Sequence, residues 1–73
     1  MKCKGTVSRV FLTRGFGFLV GDEDGEDYFM HIDDFDESIK WESVRKGDRV
    51  TFEAVKGRGG NKRQAINIER DRV

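Results

Sequence analysis

The chain has no proline and a single cysteine, Cys3. One thiol can close no intramolecular disulfide and cannot supply a paired-cysteine zinc site, which excludes the usual staples of very small domains. A free thiol in a reducing compartment is the simplest reading of Cys3. No apolar run approaches the roughly 20 residues of a membrane-spanning helix, and no signal-peptide pattern opens the chain. A soluble cytoplasmic protein with no membrane partner is therefore expected. His31 is the only histidine, and no nucleophile–base set accompanies it or Cys3. An enzyme, a cofactor and a small-molecule substrate are not expected. Excess charge is missing as well, with 14 Lys and Arg against 14 Asp and Glu.

That balance conceals segregation along the chain. Residues 1–14 carry four bases and no acid, residues 15–39 carry nine acids and neither Lys nor Arg, and residues 44–73 carry nine bases against four acids. What matters for partners is whether folding sorts these charges into faces. The acidic stretch "DEDGED" departs from a calcium loop, since Asp27 stands where glycine is required and Asp33 where glutamate is required. No metal site is expected, and these acids read as a solvated hairpin tip that repels nucleic acid.

Glycine, by contrast, is frequent and falls between short β-type runs over residues 3–12, 16–20, 27–32, 48–55 and 63–69. "GDEDGED" reads as the connection of a hairpin between the second and third runs. "KGRGGNK" joins the fourth and fifth and predicts a mobile tip. Only "IDDFDESIKWESVRKG" has helical spacing, through Ile32, Phe35 and Ile39, and a helical turn followed by a long loop is expected. At 73 residues the whole chain, 1–73, is expected to form one domain. Five short strands without a second apolar layer suggest an all-β, small closed barrel.

The informative stretch is "RGFGFLV". In an extended strand Phe16 and Phe18 share one face, and Gly15 and Gly17 share the other with Leu19. In "DYFMHI", Tyr28, Met30 and Ile32 form an ordinary core face, and Phe29 and His31 lie opposite. His31 would need a buried partner if it pointed inward, so the Tyr28 face is assigned to the core. Hairpin pairing then sets Phe16 and Phe18 beside Phe29 and His31 on the outside. Outward rings on neighbouring strands, close to arginines, make a stacking platform for single-stranded bases. The inner glycines leave the strand free to coil tightly.

These motifs resemble those of the cold-shock domain. "RGFGFLV" is similar to its first ribonucleoprotein motif, K/R-G-F-G-F-V/I, and "YFMHI" to its second, V-F-V-H-F. "GTVSRVF" resembles the opening strand, "VRKGDRVTFEA" the fourth and "RQAINI" the closing P-Q-A-x-N-V, so that the likeness covers roughly residues 4–69. The motif order excludes an RNA-recognition motif, in which the second precedes the first.

The resemblance implies one cold-shock-like domain, a five-stranded antiparallel oligonucleotide-binding barrel that binds single-stranded RNA or DNA. It implies stacking by Phe16, Phe18, Phe29 and His31, and places Arg14 near phosphate. Trp41 matches the family's loop aromatic, and stacking and loop anchoring stay equally open for it. The chain departs from the family where Arg9 replaces an exposed tryptophan, Val10 a phenylalanine, Ile32 the last aromatic of the second motif and Arg63 a proline. Arg9 can stack on a base or on Phe18, and Phe11 compensates in part if the strand bulges. Arg9 and Arg63, with Lys56, Arg58 and Lys62, shift the expected binding toward electrostatics. RNA-chaperone activity is implied as well, and a short barrel with one exposed platform is expected to be a monomer. The alternative is a barrel of this kind repurposed for protein contact, motivated by the zero net charge and the acidic "DDFDE".

Overall fold

Alternating apolar and polar residues become five strands: β1 (Cys3–Phe11), β2 (Phe16–Gly21), β3 (Asp27–His31), β4 (Arg49–Lys56) and β5 (Arg63–Arg70). Among the described residues, three 3-10 turns, Leu12–Arg14, Ile32–Asp34 and Trp41–Ser43, lie in the connections. The protein is seen in a computed structural model that describes residues 2–56 and 63–71. The strands close into a barrel in the order β1-β2-β3-β5-β4. The five-stranded barrel expected from the sequence is thus present. One seam differs from an all-antiparallel arrangement: β3 and β5 run parallel, bridged from Phe29 to Gln64. The reason is the odd strand number, because strand directions cannot alternate all the way round a closed ring of five.

The hairpin register is Phe16 opposite His31, Gly17 opposite Met30, Phe18 opposite Phe29 and Leu19 opposite Tyr28. This puts Leu19, Met30 and Tyr28 inside, together with Val7, Val50, Phe52, Ala65 and Ile68. Each large apolar side chain among them contributes about 1.5–3 kcal/mol by leaving water. The connection over residues 32–48 caps this core from below. Trp41 and Val44 are buried in it, with Phe35 and Ile39 packed against them. The anticipated helical turn is the 3-10 turn at Ile32–Asp34, and a second one forms at Trp41–Ser43.

Two strands change the face they bury. In β1 an extra residue, Ser8, sits between the pairs Val7–Leu19 and Arg9–Phe18. Val7 and Val10 consequently both point inward although they are three apart, and Arg9 and Phe11 point outward. The Ser8 hydroxyl donates to the Phe18 carbonyl at 3.2 Å and pins the bulge. In β5 the same slip occurs between the partners of Thr51 and Glu53. Asn67 absorbs it with φ 50°, a left-handed conformation that asparagine tolerates. Ala65 and Ile68 are then the inward pair.

Two glycines have specific causes. Gly15 ends the Leu12–Arg14 turn at φ 75°, so it belongs to a left-handed cap and not to the inner face of β2. Gly17 permits close approach: a Cβ there would run into the Arg9 carbonyl and sit 2.8 Å from Met30 Cε. Tight packing across the barrel, more than freedom to coil, is what Gly17 provides.

The placement of Ile32 corrects the sequence reading. β3 ends at His31, and the Ile32 N–H turns to donate to the Gly15 carbonyl at 2.9 Å. Its side chain is 41% exposed at the edge of the outer face, outside the core.

Candidate nucleic-acid interface

Strands β1, β2 and β3 carry their outward rings side by side. Phe11 lies 5.0 Å from Phe16 between centroids, and Phe16 stacks on Phe29 at 5.7 Å with a 29° interplanar angle. Phe18 meets Phe16 edge-on at 6.4 Å and Phe29 at 5.8 Å. His31 continues the row, 6.4 Å from Phe29. All five rings are half-buried, which leaves each one a face or an edge toward solvent. Edge-to-face packing fixes their orientation before any ligand arrives. His31 Nδ1 accepts the Asp33 N–H at 3.1 Å, so the neutral ring carries its proton on Nε2. The ring therefore offers an outward donor as well as a stacking face.

The Ser8 bulge brings Phe11 into this row, and it is the platform residue that the sequence left conditional. A signal was present: inward apolar residues three apart, Val7 and Val10, are incompatible with plain alternation. Arg9 is exposed and stacks on Phe11, with its guanidinium carbon 5.7 Å from the ring centroid. Its ring partner is Phe11, not Phe18.

The remaining candidates separate. Arg14 is exposed at the end of its turn beside Phe16, and Lys56 is exposed at the end of β4, where it pairs with Arg63 across the strands. Neither Arg14 nor Lys56 has an acidic partner among the described residues. Arg63 is committed to Glu26 at 3.1 Å. Arg58 and Lys62 lie outside the described residues. Trp41 is withdrawn from the platform: it is 9% exposed, its Nε1–H donates to the Leu12 carbonyl at 2.9 Å, and Phe35 packs edge-on against it at 5.3 Å. The anchoring reading is the one its geometry matches, because the indole donor is used internally and the ring faces are covered.

The hairpin tip is also more structured than a solvated acidic loop. Arg49 holds Asp22 with two bonds of 2.8 and 2.5 Å, and this guanidinium keeps the Asp22 carboxyl below its ordinary range. The Tyr28 hydroxyl donates to Asp24 at 2.6 Å. That bond lowers Asp24, and with burial it pushes Tyr28 up to about 12. Asp22, Asp24 and Glu26 of the hairpin tip are therefore paired inside the protein, whereas Arg9, Arg14 and Lys56 have no acidic partner among the described residues.

A small closed barrel of this topology with ring-bearing outer strands defines a class of oligonucleotide-binding modules. Residues 3–70 match the family model described as the "Cold-shock" DNA-binding domain. The chain belongs to this nucleic-acid-binding family. It is 33% identical over 69 residues to the probable cold shock protein y4cH of Sinorhizobium fredii, covering 94% of this chain and 99% of that one. It is 36% identical over 67 residues to the cold shock protein CspV of Vibrio cholerae, covering 92% and 91% respectively. Among solved structures it resembles Drosophila Unr CSD456, with a TM-score of 0.77 and 26% identity over 99% of this chain. The chain spans only 27% of that longer protein. No helix among the described residues is long and apolar enough to cross a membrane.

Proposed function

We propose that the protein binds single-stranded RNA or DNA by stacking bases on Phe11, Phe16, Phe18, Phe29 and His31, with Arg9, Arg14 and Lys56 meeting phosphates. The observation that carries this reading is the continuous row of half-exposed rings with Arg9 and Arg14 beside it, neither of which has an acidic partner among the described residues. Every base has a π-face, so binding of this kind tolerates sequence. Stacking on the protein competes with base pairing, so weak secondary structure is melted without a nucleotide cofactor, which is an RNA-chaperone activity. A protein-contact surface would not need this set of rings together, and the nucleic-acid reading is preferred for that reason.

The test is a titration of fluorescent oligopyrimidine, read by anisotropy at two salt concentrations, beside a duplex of the same length. Saturable binding that prefers the single strand is expected, with little quenching of the buried Trp41. Equal affinity for duplex and single strand, or no binding by a folded sample at low salt, would overturn the proposal.

A further inference from the structure

A second concavity begins where the row of rings stops. β4 pairs with β1 only over Cys3–Thr6, so the β1 edge beyond Val7 has no strand partner on that side. The segment Val44–Lys46 passes along this edge, held by the Gly47 N–H donating to the Val7 carbonyl at 2.8 Å. Between them lies a groove of about 400 Å³. That volume falls within the range of about 300–1,000 Å³ usual for small-ligand pockets. Val10, Phe11 and Leu12 form its apolar wall, and Leu12 is 42% exposed, more than Ile32 or Val55.

The charges around it have one sign. Arg9, Arg45 and Lys46 line the groove and no acid does. The Arg45 guanidinium is fixed in advance, because Nη1 donates to the carbonyls of Glu42 at 2.6 Å and Val44 at 3.0 Å. Lys46 has no partner among the described residues. A pre-positioned cation and an open apolar wall suit a planar aromatic ring joined to an anion. Two of the lining residues, Phe11 and Arg9, also belong to the ring row.

We propose that this groove is a nucleotide subsite continuous with the platform: a base lies against Leu12 and Val10, and its phosphate meets Lys46 and Arg45. A strand crossing His31, Phe29, Phe18 and Phe16 reaches Phe11 and then enters the groove. The inference rests on the single-strand reading above and extends its footprint round the barrel.

The experiment compares oligothymidines of about four and about eight nucleotides, within the span that one such barrel covers. Binding is measured for the natural protein, Lys46→Glu, Leu12→Ser and a control, Lys40→Glu, whose lysine is in the same connection outside the groove. Lys46→Glu and Leu12→Ser are each expected to weaken the longer strand about three- to tenfold and the shorter one hardly at all. Lys46→Glu should also flatten the salt dependence of the longer strand. A photoreactive thiothymidine at one end of the longer strand should crosslink within residues 8–12 or 44–46. Binding of both lengths with neither variant selective for length overturns the subsite and leaves the platform standing. An equal loss with Lys40→Glu reduces the effect to general electrostatics and also overturns it. Failure of both lengths to bind the natural protein overturns the platform itself.

Discussion

The protein has two aromatic clusters, and they differ in chemistry as much as in position. The inner one holds Tyr28, Phe52, Trp41 and Phe35, and the outer one Phe11, Phe16, Phe18, Phe29 and His31. Both inner residues with a polar tip spend it inside the protein: Tyr28 on Asp24 and Trp41 on the Leu12 carbonyl. The outer phenylalanines have no polar tip, and their remaining capacity is the ring faces turned to solvent. Rings that satisfy one another and their polar atoms hold the fold together. Rings that stay half-exposed do so at a stability cost, and the proposed single-strand binding is what would use them.

This contrast breaks most visibly at Trp41. Trp41→Ala should cost about 3–5 kcal/mol, a large share of the stability of so small a domain, as read by urea unfolding. Trp41→Phe should fold, unfold at lower urea and still bind oligonucleotide with unchanged affinity. Weakened binding by folded Trp41→Phe would move that ring to the outer cluster.

Phe18→Ala is the converse. It should lose about 1–3 kcal/mol of binding, roughly five- to 150-fold in Kd, with a much smaller shift in the urea midpoint. Unfolding on this substitution would make the outer rings core after all.

Charge gives a smaller effect. Arg14→Glu should weaken binding about threefold and reduce its salt dependence. Glu37→Gln, in the acidic groove between β5 and the Ile32–Asp34 turn, should change affinity less. The two anisotropy titrations at matched salt distinguish them.

The smallest effect sharpens the inner cluster through pH. Tyr28 is raised to about 12 in the folded protein, so its contribution is complete below about pH 10, the ordinary tyrosine value, and fades as pH rises through 12. Asp22 and Asp24 are lowered, so their contribution is complete above the ordinary carboxylate range and is lost as pH falls through their depressed folded values. Tyr28→Phe should remove the alkaline loss and reduce the Asp24 part of the acid loss, because the Glu26 N–H still donates to Asp24. Urea midpoints measured across both limbs check this.

Much of the outer cluster was legible because alternation is local: once "FGF" and "YFMHI" pair as a hairpin, four of the five rings must meet. The parallel β3–β5 seam follows from strand number, which no individual run reveals. Trp41 could not be resolved from sequence because its partner, the Leu12 carbonyl, is 29 residues away. Ile32 was misplaced because the strand stops one residue before it, at a hydrogen bond to Gly15 that hydropathy does not encode. The bulges did leave a trace, in the spacing of Val7 from Val10 and of Ala65 from Ile68.

Those two bulges act as frame shifts written into the strands. Before Ser8 the odd-numbered residues of β1 belong to the interior; after it the even-numbered ones do. An exchange of Arg9 with Val10 therefore conserves composition and still fails, because it drives a guanidinium into the barrel. Removing Ser8 keeps every later residue in its present frame and loses only the bend. Any sequence transplanted onto this barrel has to change frame at the same two places, or its ring-bearing surface turns inside out halfway along the strand.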